Sequence, residues 1–149
     1  MATTQLPPDF KEFLRLLNSK GVEYLLIGGY AVGYHGYPRA TGDMDIWIAM
    51  TRSNAERVVA VLQEFGFNMP EVSVELFLEE NRAIRMGVPP VRIEVITTIS
   101  GVDFNECYAK RLRDIIDGVE VNIIDLADLK ANKRASGRAK DIDDLENLS

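Results

Sequence analysis

The sequence predicts an α/β fold in which a mixed sheet is flanked by helices. Short apolar runs typical of buried strands alternate along the chain with segments whose apolar residues recur at helical spacing. Glycine or proline separates most of these segments, and no repeat interrupts them. The chain has 149 residues, of which 46% are hydrophobic. A chain of this size can fold around one hydrophobic core. We therefore expect a single domain over residues 1–149.

The first part of the chain gives helix, strand, helical turns and strand in succession. Residues 10–19 carry phenylalanine and leucine at helical spacing, and Gly21 follows where a helix end favours positive φ. Residues 22–27 form an apolar run that ends at two glycines, and residues 30–35 fit one or two helical turns. Acidic and apolar residues alternate with a period of two over residues 43–48, which predicts the second strand.

The middle of the chain predicts one helix and three strands. Ser53 is expected to cap a helix over residues 53–65, with valine and leucine facing inward, and Gly66 is expected to end it. Short apolar runs follow. They predict strands at residues 74–78, 83–86 and 91–96.

The last part of the chain predicts a turn, a short helix, a strand and a pair of helices. The glycine and prolines of residues 87–90 predict a turn that joins the two preceding strands as a hairpin. A short helix is expected at residues 103–111 and a final strand at residues 119–124. Asp125 then opens a C-terminal helix pair over residues 125–149 with a capping-box pattern.

Composition narrows the class of protein. A formal net charge of -6 argues against broad binding to nucleic acid, because non-specific affinity for polyanions depends on clustered cations. No run approaches the apolar length needed to cross a bilayer, and residues 1–8 lack the pattern of a secretory signal and are expected to be a flexible tail. Cys107 is the only cysteine, which excludes an internal disulfide and a multi-thiolate zinc site. We expect a cytoplasmic protein with no membrane partner.

Asp43 and Asp45 lie two residues apart on one predicted strand, so their side chains share a face at a spacing of roughly 6–7 Å. Two anions at this spacing repel each other unless a cation lies between them. Carboxylate oxygens suit magnesium that is bound together with substrate phosphates. An Asp-x-Asp pair on an exposed strand face is also common as simple solvation, and the pair alone leaves both interpretations open.

Gly28 and Gly29 end the first predicted strand ahead of the two aspartates. Such a turn lets the backbone approach a phosphate and directs free N–H groups at it. The arrangement resembles the nucleotidyltransferase superfamily of the polymerase-β type. Its signature is an apolar residue, Gly, then Gly or Ser, followed after a spacer by an Asp-apolar-Asp/Glu-apolar strand, and residues 27–29 and 43–46 match it position by position. The resemblance implies a nucleoside triphosphate substrate and Mg²⁺ or Mn²⁺ as cofactor.

The resemblance also implies a third carboxylate from a neighbouring strand, and Glu94 in residues 91–96 is the natural candidate. Alternation places Glu94 with Arg92 on the face opposite the apolar neighbours. A half-exposed strand whose Arg92 and Glu94 face water is the alternative. We expect Asp43, Asp45 and Glu94 to be catalytic and to bind the metal, and Glu94 or one aspartate to accept the proton of the nucleophile.

Residues 128–145 concentrate cations in an acidic chain. They resemble the Leu-x-x-x-Lys, Arg, Lys-Asp-x-x-Asp-Leu pattern of small bacterial nucleotidyltransferases, including those related to abortive-infection toxins and lincosamide-modifying enzymes. The resemblance implies that Lys130 or Lys133 neutralises triphosphate charge. It also implies that Arg138 and Asp141 brace the helix pair or contact the nucleotide. Cations near a helix C-terminus also complement the helix dipole without any ligand.

Further nucleotide-binding candidates lie between the glycines and the aspartates. Arg39 and Thr41 match the Arg-x-Thr-x-Asp lead-in of the same families, and Arg39 would reach a phosphate or pair with a carboxylate. Tyr30 could stack on a base, although core packing explains it equally well. His35, the only histidine, is expected to have a surface or capping role rather than to act as a base.

The expected function is metal-dependent transfer of a nucleoside monophosphate from a triphosphate to a hydroxyl of an acceptor. The acceptor would be a protein, a tRNA or a small molecule, and the net charge does not favour tRNA. The alternative is a non-catalytic nucleotide-binding component of a toxin–antitoxin or regulatory system. Toxin-type relatives carry a larger acceptor-binding part, so the resemblance also implies a homo-oligomer or a partner protein.

Overall fold

A six-stranded mixed sheet carries the core in the computed structural model, which describes residues 5–38, 41–88 and 91–148. The strands of the described residues are β1 (Tyr24–Ile27), β2 (Asp43–Ile48), β3 (Ala83–Val88), β4 (Val91–Ile96), β5 (Leu112–Ile116) and β6 (Val119–Ile123). The helices are α1 (Pro8–Ser19), α2 (Gly28–Tyr34), α3 (Arg52–Phe65), α4 (Phe104–Ala109), α5 (Leu126–Ser136) and α6 (Ala139–Asn147). The predicted α/β fold with a mixed sheet is confirmed.

The strand order β3-β4-β2-β1-β6-β5 places the predicted motifs on adjacent strands. β2 is antiparallel to β1 and parallel to β4, and β4 is antiparallel to β3. The C-terminal end of β1 and the N-terminal ends of β2 and β4 therefore meet at one end of the sheet. This end holds Gly28, Asp43 and the start of β4 at Val91.

Alternation along β2 separates a wholly apolar, buried face from a face that carries both aspartates and the buried Trp47. Met44, Ile46 and Ile48 have no exposed surface, because they pack into the core beneath the helices. Asp43 and Asp45 are only partly buried and lie on the opposite face. The period-two pattern read from the sequence therefore corresponds to the observed strand, and the apolar face anchors the acidic face.

Residues 74–78 do not form the predicted strand. A 3₁₀ turn occupies Glu75–Leu78, and only Phe77 of this segment is fully buried. The hydroxyl of Ser73 accepts a hydrogen bond from the Leu76 N–H at 3.3 Å, which stabilises a turn over an extended backbone. The edge position beside β4 is taken by β3 instead.

β5 is a strand that the sequence patterns do not predict. Its first four residues are exposed, so it lacks the alternation of buried and exposed positions that marks a half-buried strand. Asp117 and Gly118, both with positive φ, connect it to β6 as a two-residue hairpin turn. An Asp-Gly pair is a strong hairpin signal, and it was the local feature able to reveal β5.

The start of α3 and the segment before α1 both differ from the prediction. Thr51, not Ser53, caps α3, since its hydroxyl accepts from the Asn54 N–H at 3.3 Å. Leu6 lies within the segment expected to be a flexible tail, yet it is buried and its N–H donates to Asp117 Oδ2 at 2.9 Å. Pro8 of the same segment already begins α1, and residues 1–4 lie outside the described residues.

The helices of the described part of the chain are short. The longest, α3, has 14 residues, and none of the helices combines the length and apolar character that crossing a bilayer requires.

Candidate active site

The register between β2 and β4 brings the three predicted carboxylates together. Asp45 lies beside Glu94, and Asp43 lies beside Arg92. Because alternate residues of a strand share a face, these four side chains lie on the same face of the sheet, opposite buried Ile93. We refer to Asp43, Asp45 and Glu94 as the carboxylate cluster.

The glycine turn lies directly against this cluster. Ile27 at the end of β1 pairs with Asp45, and Gly28 follows with a φ of +68°. A Cβ atom at Gly28 would lie 2.2 Å from Asp45 Oδ2, so the carboxylate fills the space that a side chain would need. Both the backbone conformation and this close approach require glycine.

Gly29 makes a similar approach to Thr41. A Cβ atom there would lie 2.6 Å from Thr41 Oγ1, and the Thr41 hydroxyl donates to the Asp43 carbonyl at 3.3 Å. Gly28, Gly29 and Thr41 are thus brought to the same end of β2 as the aspartates. Arg39, the other nucleotide-binding candidate of this segment, lies outside the described residues.

Arginines pair with the two outer carboxylates. Arg92 donates through a terminal nitrogen to Asp43 Oδ2 at 2.9 Å, and Arg85 of β3 donates through Nε to Glu94 Oε2. Asp45 has no hydrogen-bond or ion-pair partner among the described residues. The central carboxylate is therefore the one whose charge no neighbouring side chain neutralises directly.

The environment of Asp45 disfavours its ionised form. Burial raises the pKa of Asp45 to about 6, and the negative charges of Glu94 and Asp43 act in the same direction. The positive charges of Lys140 and Lys133 oppose this increase only partly. A bound cation would therefore relieve a real electrostatic cost at this position.

The side chains as they stand do not form a metal-ligand cage. Over residues 5–38, 41–88 and 91–148, no three His, Cys, Asp or Glu side chains converge in ligating geometry. Asp43 and Glu94 each direct a carboxylate oxygen at a guanidinium instead. The chemistry of the set nevertheless fits Mg²⁺ or Mn²⁺, since all its donors are carboxylate oxygens and the central one is unpaired.

Lys133 has a different environment from the one expected. Its side chain is 4% exposed, and Nζ lies 3.1 Å from Asp141 Oδ1 and 3.0 Å from Asp144 Oδ2. These ion pairs tie α5 to α6. A triphosphate contact would require both to break, at a cost typical of a buried charge, so we assign Lys133 to the helix pair.

Arg138 takes the bracing role of its two predicted alternatives. Its Nε donates to Asp141 Oδ2 at 2.8 Å, at the start of α6. Burial alone would raise the pKa of Asp141, but the hydrogen bonds from Arg138 and Lys133 outweigh it and lower that pKa to about 2. Asp141 is therefore an anion held between two cations, as expected for a residue that joins two helices.

Lys140 is a candidate that the sequence patterns left aside. It is exposed on the first turn of α6, and its charge acts on Asp45 more strongly than that of Lys133. The signal for it was present in the Lys-Asp step of the C-terminal pattern, at residues 140–141. Lys130 is half-buried on α5, and no ion pair of the described residues includes it.

The remaining aromatic candidates pack within the fold. The Tyr30 ring meets Phe10 edge-to-face, with centroids 5.7 Å apart, which favours core packing over base stacking. His35 ends α2, and its Nε2–H donates to the Ile124 carbonyl at 2.7 Å. The histidine therefore connects α2 to the end of β6, in line with its expected capping role.

A cavity of about 540 Å³ lies at the other end of the sheet. Residues that follow β2 and β4 line it, together with Phe104 at the start of α4. It contains none of the carboxylate cluster and no lysine or arginine among its lining residues. It therefore lacks the cations that a triphosphate requires.

Comparison with known proteins identifies the family. Residues 4–149 match the profile of a family described as "nucleotidyltransferase of unknown function (DUF6036)". The chain belongs to this family. The match covers the glycine turn, both strands of the carboxylate cluster and the helix pair. No curated protein matches the sequence.

Two solved structures share the fold of this nucleotidyltransferase family member. A protein from Thermotoga maritima, provisionally named a nucleotidyltransferase, has a TM-score of 0.63 at 15% identity, covering 95% of this chain and 93% of that one. An antigenic nucleotidyltransferase-like protein from Paracoccidioides brasiliensis has a TM-score of 0.55 at 20% identity, covering 93% of this chain and 73% of that one. At these identities the likeness concerns the fold alone.

Replacing Asp45 by Asn should stabilise the protein in a pH-dependent way. Because the folded-state pKa of Asp45 lies above the unfolded value, stability is lost as pH rises through the interval between about 4 and about 6. Asp45→Asn should therefore be more stable than the wild type by about 2 kcal/mol near pH 8 and equally stable near pH 4. Urea unfolding at both pH values measures this. Glu12→Gln, at an exposed carboxylate, is the control and should show no such difference.

Replacing Gly28 by Ala should disturb the site, whereas Gly33→Ala on the same helix should not. Gly28→Ala combines a strained φ with displacement of the Asp45 carboxylate, and it should cost about 1–3 kcal/mol of stability. A methyl group at Gly33 would meet no atom within 4 Å, and alanine there should be neutral or stabilising by up to about 1 kcal/mol. Urea unfolding compares the two; equal stability of both variants would contradict the close approach.

Proposed function

We propose that the protein is a metal-dependent nucleotidyltransferase that moves a nucleoside monophosphate from a nucleoside triphosphate to an acceptor hydroxyl. The observation that carries this proposal is the position of Asp45. It is unpaired and partly buried, lies between two further carboxylates, and fills the space above a glycine turn. Such an electrostatic cost is common at functional sites, and membership of a nucleotidyltransferase family gives it a matching chemistry.

The carboxylate cluster would hold the metal. Bound by Asp43, Asp45 and Glu94, Mg²⁺ or Mn²⁺ would supply positive charge that activates the attacking hydroxyl and stabilises the leaving pyrophosphate. Each outer carboxylate gives one oxygen to its arginine in the bonds described, which leaves its second oxygen for a further partner. The three side chains would have to turn towards one another to share a cation.

The triphosphate would lie on the β1 side of the cluster. Gly28 and Gly29 begin α2 on that side, and the backbone N–H groups of this turn would face the phosphates. Lys140, exposed and electrostatically coupled to Asp45, would neutralise part of the triphosphate charge. Glu94, on the far side of Asp45, would accept the proton of the acceptor hydroxyl.

A second candidate function is nucleotide binding without transfer. Arg85 and Arg92 already neutralise Glu94 and Asp43. These two carboxylates therefore cost the folded protein little stability in the absence of a metal. A regulatory or toxin–antitoxin component that binds nucleotide would then keep the same cluster. The two functions differ in whether Glu94 is needed for a chemical step.

Calorimetric titration and a transfer assay together test the proposal. Asp45→Asn should abolish Mg²⁺-dependent binding of nucleoside triphosphate, because it removes the central ligand. Glu94→Gln should retain much of that binding and should lower transfer by about 10²–10⁴-fold if Glu94 accepts the proton. Transfer is measured with each radiolabelled triphosphate, Mg²⁺ and cell lysate, by the macromolecule or small molecule that becomes labelled.

The matched control for both variants is Glu12→Gln, which removes a carboxylate from the exposed face of α1. It should leave binding and transfer unchanged. Undiminished metal-dependent affinity in Asp45→Asn would rule out the metal site. Normal triphosphate binding with no transfer by the wild type would favour the binding-only function.

Replacing Lys140 by Gln should weaken triphosphate binding more than monophosphate binding. The expected loss for the triphosphate is about 1 kcal/mol, or roughly fivefold, and it should shrink as salt is raised because the site is open to solvent. Calorimetric titration at two salt concentrations measures it. Lys20→Gln, which removes a half-buried lysine paired with Glu64, is the control. Equal losses for both nucleotides would assign Lys140 a structural role.

A further inference from the structure

Two arginines lie on the side of the carboxylate cluster away from the glycine turn. Arg85 of β3 pairs in register with Glu94 of β4, which in turn pairs with Asp45 of β2. These three residues form one row across the sheet, and Gly28 lies beyond its other end. Arg92 occupies the adjacent row, beside Asp43. β3 and β4 therefore present cations on the side of the site away from the glycine turn.

Both guanidinium groups have donors to spare. A guanidinium carries five N–H donors, and each of these arginines donates through one nitrogen only in the bonds of the described residues. Arg85 leaves both terminal nitrogens without a partner there. The Nε of Arg92 is buried and also has no partner. The side chain of Arg85 is 62% exposed and that of Arg92 is 31% exposed, so a second anion can reach them.

The charge balance of the site changes when the carboxylates bind a cation. Asp43 and Glu94 at present serve as the counterions of Arg92 and Arg85. Once these carboxylates also share a divalent cation, they balance the arginines less completely, and each arginine gains from a new anion on its exposed side. The planar guanidinium matches a phosphate group and can bind it through two parallel hydrogen bonds.

We propose that the acceptor carries a phosphate next to its reactive hydroxyl and that Arg85 and Arg92 bind this phosphate. The inference rests on the proposed nucleotidyltransferase function. In the reaction, the acceptor oxygen forms a bond to the α-phosphorus of the triphosphate and the bond from that phosphorus to pyrophosphate breaks. Pyrophosphate leaves, and the hydroxyl proton passes to Glu94. The arginines hold the acceptor for this step and take no part in the bond changes.

This acceptor chemistry excludes amine-rich acceptors. An amino sugar would bring positive charge to the exposed Arg85 and the half-buried Arg92 and would be repelled. Two sources of a hydroxyl beside a phosphate remain: the 3′ end of an oligonucleotide and a sugar phosphate. They share the recognition chemistry and differ in size and in charge density.

Equilibrium binding tests the inference without requiring turnover. The protein, saturated with Mg²⁺ and an α,β-methylene nucleoside triphosphate, is titrated with a 3′-hydroxyl oligoribonucleotide and with glucose 6-phosphate. Each probe has a neutral counterpart: a methylphosphonate-linked oligonucleotide of the same sequence, and glucose. The wild type should bind at least one phosphate-bearing probe about tenfold or more tightly than its neutral counterpart, the effect of one charge-assisted hydrogen-bond pair. The probe that binds identifies the source of the phosphate.

Arginine variants assign the effect to the hairpin. Arg85→Gln combined with Arg92→Gln should remove the preference for the phosphate-bearing probe in protein that still binds the triphosphate analogue in the presence of Mg²⁺. Arg85→Gln alone, at an exposed edge-strand position, should reduce the preference. This single variant keeps the test valid if the double variant does not fold. Arg82→Gln is the matched control, because Arg82 has similar exposure and also pairs with a glutamate, Glu79. It should behave as the wild type.

The outcomes separate this inference from the proposed function. If the wild type binds the triphosphate analogue but shows no preference for either phosphate-bearing probe, the acceptor inference is overturned and the proposed function stands. The same holds if the preference survives in both arginine variants. If the analogue itself does not bind in the presence of Mg²⁺, the proposed function fails and the inference fails with it.

Discussion

Mutual repulsion among three carboxylates is the constraint on which this end of the molecule depends. Parallel pairing of β2 and β4 places Asp45 beside Glu94, with Asp43 on the same face. The neighbouring cations offset part of this negative charge. Arginines pair with the outer two carboxylates, and lysines of the helix pair act on the middle one from a greater distance. The arrangement neutralises the outer two carboxylates directly and leaves the middle one without a direct partner among the described residues.

Local patterns correctly predicted which side chains of β2 and β4 share a face of the sheet. Alternation over residues 43–48 and 91–96 fixes which side chains share a face, since a strand buried on one side has only one orientation that buries its apolar residues. Residues 112–116 lacked this signal because an exposed edge strand buries neither face. The environment of Lys133 could not be predicted either. Its burial arises from long-range packing of α5 on α6, and no periodicity distinguishes it from exposed Lys140.

The helix pair links the fold to the site. Lys133 is buried between Asp141 and Asp144, and removing one member of such a group leaves an uncompensated charge in the interior. The hydroxyl of Tyr37 donates to Asp143 at 2.9 Å, which fastens α6 to the segment that leads into β2. The first turn of α6, with Lys140, is thereby held at a fixed position relative to the aspartates. A buried ionic group thus defines where an exposed cation can act.

The contact between Gly28 and Asp45 makes two distant positions of the chain interdependent. While an aspartate occupies position 45, its carboxylate takes up the space into which a side chain at position 28 would project. A family member that lost this carboxylate would lose the steric part of the requirement for glycine, although the positive φ would still favour it. Substitutions at the two positions should therefore arise together during divergence. A bulky residue at position 28 would mark a descendant in which the chemistry of the cluster has been abandoned.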